Sequence, residues 1–159
     1  MGDEQVYCPL RREWVLGLPE EVVRVQFLTY MLDHLGFPRE LMTVEKSLEN
    51  LPGDRDFLPS RRIDILCYCR DLHHGKELTP LLLIECKAVP ITKKALNQAI
   101  GYNHFLKAYF ICIVNQNELQ FGWYSKEEKQ YLFETELPRY EELISIVKAA
   151  FPEHQRGFF

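Results

Sequence analysis

The sequence predicts a single α/β domain in which helices flank a mixed β-sheet. Its 159 residues, 47% hydrophobic and 26% charged, suffice for one globular core and are too few for two comfortable domains. Two short aliphatic runs, residues 61–69 and 81–89, are bounded by turn residues and predict an antiparallel hairpin. Helical periodicity in residues 19–35 and 92–107 predicts two helices that pack on the sheet.

The first helix has a clear start and end in the sequence. Pro19 suits the first helical position, and Glu20 and Glu21 follow in the turn where the helix dipole favours carboxylates. Gly36 and Pro38 stop the helix. Its predicted apolar stripe consists of Val23, Phe27, Tyr30 and Met31.

The other elements complete a predicted sheet of four to five strands. Thr92 caps the second helix, and the apolar run 109–114 predicts a strand buried on both faces, parallel to the strand 81–89. The remaining predictions are a first strand within 41–51, a loop at 52–60, a second hairpin at 119–124 and 131–133, and a last helix at 139–151. We divide the chain into an N-terminal arm (1–18), the domain (19–151) and a C-terminal tail (152–159).

Charge, cysteine spacing and hydropathy argue against several classes of protein. The net charge of -4 lacks the basic balance typical of nucleic-acid binders, although local clusters such as Arg61-Arg62 can still contact phosphates. Five cysteines, an odd number without Cys-x-x-Cys spacing, predict reduced buried thiols and neither a disulfide framework nor a zinc site. No apolar run approaches the ~20 residues of a membrane span, so we expect a cytoplasmic protein with no membrane partner.

The central hairpin carries charges where a core would exclude them. Side chains alternate along a strand, so Leu81, Leu83, Glu85 and Lys87 are predicted to share one face, with Asp64 opposite on the partner strand. A buried charge is costly unless it is paired or holds a metal. The residues alone leave two readings open. In one, the charges form an ion pair at the sheet edge; in the other, they form a functional site.

The order Asp, then Glu-x-Lys one hairpin later, resembles the PD-(D/E)xK nuclease superfamily. Over about residues 18–125 the chain is similar to the N-terminal nuclease domain of type I restriction enzyme R subunits. The segments that carry this resemblance are 18–24, 36–38, 44–46, 62–65, 82–88, 98–103 and 115–116. The chain departs from the R subunits in having no phosphate-loop motif of a helicase motor.

The resemblance implies a restriction-endonuclease-like fold with its site where the two central strands splay apart. Asp64, Glu85 and the backbone carbonyl of Cys86 would hold magnesium, with manganese as the alternative metal. Lys87 would orient the attacking water, and Gln98 would help with placement, with Tyr102 one turn further along the helix. Glu21 matches the glutamate of the family's first helix and would help to hold metal or water. The other readings are that Glu21 compensates the helix dipole, Gln98 is an exposed helix residue and Tyr102 is a core aromatic.

The resemblance implies a magnesium-dependent endodeoxyribonuclease, which hydrolyses phosphodiester bonds in DNA and takes part in restriction-modification. We also expect a separate protein partner. A rival hypothesis is a non-catalytic module that keeps the nuclease fold and contacts nucleic acid or protein through its cleft or through Phe158-Phe159. A third hypothesis is a structural protein whose charges set the strand register. The sequence leaves specificity and oligomeric state open.

Overall fold

One β-sheet and the three helices against it organise the part of the chain that the computed structural model describes, residues 4–47, 62–73 and 76–150. The strands are β1 (Gln5–Cys8), β2 (Glu13–Leu16), β3 (Met42–Ser47), β4 (Arg62–His73), β5 (Lys76–Cys86), β6 (Phe110–Val114), β7 (Leu119–Ser125) and β8 (Gln130–Glu134). The helices are α1 (Pro19–His34), α2 (Lys93–Leu106) and α3 (Tyr140–Ala150), with a 3-10 turn at Arg39–Leu41.

The main sheet has six strands in the order β3-β4-β5-β6-β7-β8, and β1 and β2 form a separate hairpin. β5 and β6 run parallel, while the other neighbours are antiparallel. Both predicted hairpins and the parallel pair are therefore confirmed. The prediction of four to five strands was too low because the second hairpin joins the sheet, with Cys112 of β6 paired to Phe121 of β7.

Helices cover both faces of the sheet. α1 and α3 share one apolar cluster with the face of β5 that carries Leu82 and Ile84, whereas α2 packs over Leu83 on the opposite face. The N–H of Tyr140 donates to the carbonyl of Leu35 at 2.9 Å, which holds α3 beside the end of α1. This mixed sheet between helices confirms the α/β fold class and is compatible with a restriction-endonuclease-like fold.

Two details of the predicted core were wrong. Tyr30 is 45% exposed, and Leu28 takes its place in the core of α1. Leu81 belongs to the cluster under α1 and not to the face of Leu83. The reason is a shift of register, because Cys67 pairs with Leu82 but Tyr68 pairs with Pro80, leaving Leu81 as an extra residue. Pro80 lies inside β5, where a bulge tolerates its missing N–H.

All five cysteines are free and buried, as predicted. Burial raises the pKa of Cys69 to about 12 and raises the pKa of the Cys112 thiol, so both stay protonated near neutral pH. None of the helices in the described residues is long and apolar enough to cross a membrane. The predicted loop 52–60 and the tail with Phe158-Phe159 lie outside the described residues. The limits of the three predicted regions stay predictions.

Candidate functional site

β4 and β5 stop pairing at the point where the predicted site residues begin. Within the described residues, the last pair between them in this direction is Ile65 with Ile84. Beyond it, β4 remains paired to β3 and β5 remains paired to β6 as far as Cys86 with Val114. Asp64 and Glu85 are the next residues on the two strands, so they lie where the strands part.

The carboxylate of Asp64 occupies this gap. Its Oδ2 accepts a hydrogen bond of 2.8 Å from the backbone N–H of Cys86, and its Oδ1 accepts one of 2.8 Å from Nη2 of Arg24. The first bond connects the two strands through a side chain after their backbone pairing ends. The second connects them to α1. Asp64 is therefore held in one orientation by a strand and a helix.

Arg24 belongs to a closed ring of alternating charges, which we call the arginine–carboxylate ring and define as Arg11, Glu21, Arg24 and Glu45. Nη1 of Arg24 contacts Glu21 at 2.6 Å and Glu45 at 3.3 Å. Arg11 contacts the other oxygen of Glu21, and it contacts Glu45 at 3.4 Å. Each carboxylate thus lies between two guanidinium groups, and the ring joins the β1–β2 hairpin, α1 and β3.

The ring has the electrostatics of a stable ionic network. The side chain of Arg24 is 7% exposed, so taking its charge out of water requires close partners. Burial alone lowers the pKa of Arg24, but the charges of Asp64, Glu21 and Glu45 outweigh burial, and its pKa lies above the ordinary value. Arg24 is therefore a permanent cation beside Asp64.

Glu45 reaches the ring through an unusual backbone conformation. Its φ is +52° inside β3, in the left-handed region that non-glycine residues rarely adopt. Its neighbours Val44 and Lys46 still pair with Ile65 and Ile63, so the distortion is confined to the residue opposite Asp64. Such conformations persist where the surrounding contacts impose them. Here those contacts are the ion pairs with Arg11 and Arg24.

Glu85 and Lys87 lie at the end of β5. Glu85 is 7% exposed and follows Leu83, by strand alternation, on the face covered by α2. Lys87 is half-buried just past the strand, and its backbone N–H donates to the carbonyl of Val114 at 2.8 Å. That bond prolongs the attachment of β5 to β6, and so it fixes the chain position from which the ammonium extends.

α2 brings Gln98 and Tyr102 to the same side of the sheet. Thr92 caps the helix as predicted, because its Oγ1 accepts a hydrogen bond of 3.1 Å from the N–H of Ala95. Tyr102 is 8% exposed within the cluster that contains Leu83, so it is a core aromatic, whereas Gln98 is half-buried. The ring contacts do not include Gln98 or Lys87, and the catalytic roles of all the predicted residues stay predictions.

Comparison with protein families identifies the chain. A model of the family described as type I restriction enzyme R protein N terminus matches residues 19–138. The chain belongs to this family. Searches of curated proteins and of solved structures gave no match. Asp64, Glu85, Glu21 and Arg24 lie within the residues matched to the R protein N terminus, and Arg11 lies before them.

The sequence interpretation gave no place beside Asp64 to three charged residues: Arg24 and Glu45 of this R protein N-terminal region, and Arg11 before it. One signal was available for Arg24. It is three residues before Phe27 and seven before Met31, which places a charge on the apolar stripe of α1 and one turn from Glu21. Glu45 and Arg11 carry no comparable signal, because their contacts depend on a left-handed residue and on the placement of the β1–β2 hairpin.

The residues in the gap fit a hard divalent cation such as magnesium. Each oxygen of Asp64 accepts one hydrogen bond, and a carboxylate offers about four acceptor positions. Burial raises the pKa of the Cys86 thiol well above its ordinary value, so Cys86 offers its carbonyl oxygen and not a thiolate. The described residues contain no group of three or more His, Cys, Asp or Glu side chains suited to a metal. Carboxylate and carbonyl oxygens are the donor types that magnesium takes, and a magnesium site formed by Asp64, Glu85 and the carbonyl of Cys86 stays a prediction.

Proposed function

We propose that this chain is a magnesium-dependent endonuclease domain of the PD-(D/E)xK type that hydrolyses phosphodiester bonds in DNA. The observation that carries the proposal is the fixed carboxylate of Asp64 in the gap between β4 and β5, where the buried Glu85 is the first residue of β5 past the last strand pair. Membership of the R protein N-terminal family supports DNA as the substrate. It also supports association with further subunits.

Asp64, Glu85 and the carbonyl of Cys86 are the groups that would hold the cation. A divalent cation there supplies Lewis-acid stabilisation of the negative charge that develops on the scissile phosphate. The protein contributes preorganisation, because the hydrogen bonds from Arg24 and Cys86 fix Asp64 before any substrate arrives. Glu85 is likewise buried at the end of β5.

Lys87 and Gln98 are assigned to the attacking water and the phosphate. An ammonium at the open end of β5 can hold a water molecule in line with the phosphorus and offset charge in the transition state. An amide at a half-buried position on α2 can donate to a phosphate oxygen or accept from the water. Glu21 has both oxygens in contact with arginines, so within this arrangement it acts on the site through Arg24.

The proposal is tested by pairing metal binding with DNA cleavage. Calorimetry with Mg²⁺ and Mn²⁺ should show binding to the wild type. The same measurement on Asp64→Asn and on Glu85→Gln should show none. Cleavage of linear, nicked and single-stranded DNA should require the metal, should stop when it is chelated, and should fall at least about a hundredfold in either variant and in Lys87→Met.

Matched controls are Asp33→Asn and Glu134→Gln, which remove exposed carboxylates that belong neither to the arginine–carboxylate ring nor to the gap between β4 and β5. Both should bind metal and cleave DNA as the wild type does. Metal binding without cleavage of any DNA would contradict the catalytic assignment and favour the non-catalytic module. Absence of metal binding by the folded wild type would contradict both the cofactor and the reaction.

A further inference from the structure

Asp64 and the four residues of the arginine–carboxylate ring together carry an unbalanced charge. The arginine–carboxylate ring contains two guanidinium groups and two carboxylates, so it is neutral by itself. Asp64 adds a third carboxylate through its contact of 2.8 Å with Arg24. Arg24 therefore serves three carboxylates at once, with Glu21 and Glu45 as the other two.

We infer that Arg24 is a positioning residue that acts as the resident cation of the site. Its guanidinium fixes Oδ1 of Asp64 and partly neutralises the three carboxylates before a divalent cation binds, and the divalent cation then has to share Asp64 with it. The inference rests on the proposed function in taking Asp64 as a metal ligand. It adds to that function a residue and the direction of its effect. Arg24 orients Asp64, and at the same time it weakens the binding of a divalent cation.

The sign follows from Coulomb's law. A positive charge in contact with Asp64 repels a second cation on the same carboxylate, and at an effective dielectric constant of about 20 the repulsion between charges a few ångströms apart is large enough to change an affinity about tenfold. Replacing Arg24 by a neutral residue leaves Glu21, Glu45 and Asp64 with one guanidinium among them. Their surplus negative charge should attract a divalent cation more strongly, although the orientation of Asp64 is lost.

The decisive variant is Arg24→Gln, studied by calorimetry with Mn²⁺ as the probe and by urea unfolding with and without Mg²⁺. We expect it to be less stable than the wild type without divalent cations and to recover part of that stability when Mg²⁺ is added. We also expect it to bind Mn²⁺ on the order of tenfold more tightly and to cleave DNA more slowly. A purely structural arginine would lower stability without tightening binding.

Glu45→Gln is the opposite arm of the experiment. It removes a negative charge from the ring at a half-exposed position and leaves two guanidinium groups with only Glu21 and Asp64, so it should weaken Mn²⁺ binding. This arm tests the inference even if Arg24→Gln fails to fold. Unchanged or tighter binding by Glu45→Gln would overturn it.

Arg39→Gln is the matched control for loss of an arginine. Arg39 is partly buried and donates to the backbone carbonyls of Pro9 and Leu10, so it ties the β1–β2 hairpin to the domain without touching a carboxylate of the ring. Its removal should lower stability and leave Mn²⁺ affinity unchanged. An equal gain of affinity in Arg39→Gln would overturn the inference, because the gain would then reflect loosening of the fold.

The outcomes separate this inference from the proposed function. Binding by the wild type that is no tighter in Arg24→Gln overturns the resident-cation role and leaves the nuclease standing. Binding by Arg24→Gln but not by the wild type supports the role of Arg24 and contradicts the nuclease. Absence of binding by both folded proteins overturns both proposals.

Discussion

Glu45 shows at the scale of one residue how the site imposes a conformation on its surroundings. A strand residue with a φ of +52° costs an L-amino acid about 1–2 kcal/mol relative to glycine. The contacts of Glu45 with Arg11 and Arg24 offset that cost. The backbone at this position therefore remains strained. Its conformation suits glycine best, but the ion pairs require the glutamate side chain.

Glu45→Gly and Glu45→Ala measure this strain directly. Both substitutions remove the same ion pairs, but only glycine relieves the left-handed conformation, so Glu45→Gly should be more stable than Glu45→Ala by about 0.5–1 kcal/mol. Urea unfolding checks the difference. At the neighbouring Val44, which has no positive φ, the same pair should show the ordinary order, with alanine the more stable. If the glycine variant is less stable than the alanine variant at both positions, β3 leaves the left-handed conformation once the ion pairs are removed.

At the scale of elements, the end of α2 fixes the start of β6. Oδ1 of Asn103 accepts a hydrogen bond of 2.7 Å from the N–H of Ala108, and its Nδ2 donates to the carbonyl of Ala108 at 2.9 Å. Between them, Lys107 adopts a φ of +61°, and its N–H closes the helix on the carbonyl of Asn103 at 2.8 Å. This is the position at which helices usually carry glycine.

Lys107→Gly should therefore stabilise the protein. Lys107 is exposed and its side chain is not needed for the cap, so glycine should raise the free energy of unfolding by about 0.5–1 kcal/mol. Lys94→Gly is the control, an exposed lysine in the first turn of the same helix, where glycine should lower the free energy of unfolding by less than about 1 kcal/mol. Thermal unfolding of the two variants measures both effects. A lower stability of Lys107→Gly than of the wild type would contradict the strained cap.

At the scale of the whole molecule, the β1–β2 hairpin belongs to the same folded body as the sheet. Cys8 is fully buried in the cluster of α1 and β5, and Leu10 and Val15 pack against it. Arg11 joins the hairpin to the site, and Arg39 joins it to the turn before β3. These contacts tie residues of the predicted arm to α1, to the sheet and to the turn before β3.

Two tryptophans test whether hairpin and sheet unfold together. Trp14 lies on β2 and is 64% exposed, and Trp123 lies on β7. Because Cys8 and Arg11 tie the hairpin to the core, the Trp123→Phe variant, which reports on Trp14, and the Trp14→Phe variant, which reports on Trp123, should unfold in one urea transition with the same midpoint. Circular dichroism on both variants controls for changed stability. A lower midpoint for Trp14 alone would indicate an arm that detaches on its own.

The parts of the fold that were predictable are those with a local cause. Pro19 and Thr92 start their helices through their own backbone and side-chain chemistry, and the structure confirms both starts. Strand alternation predicted the faces of Leu82, Leu83 and Ile84, and it failed at Leu81, where one extra residue inverts the pattern. A bulge depends on the partner strand, so one strand's pattern does not reveal it.

The sequence by itself determined the α/β class, the helix limits, the hairpins β4–β5 and β7–β8, and the positions of Asp64 and Glu85 on neighbouring strands. Hydrophobic periodicity, turn residues and helix caps act within a few residues of the chain, so they can be recognised in the sequence. Only the tertiary structure decided that Arg11, Arg24 and Glu45 surround Asp64. These groups come from a hairpin, a helix and a strand, and Arg24 and Asp64 are 40 positions apart. Desolvation on folding makes their mutual contacts necessary, and no local pattern records a charge's partner across that distance.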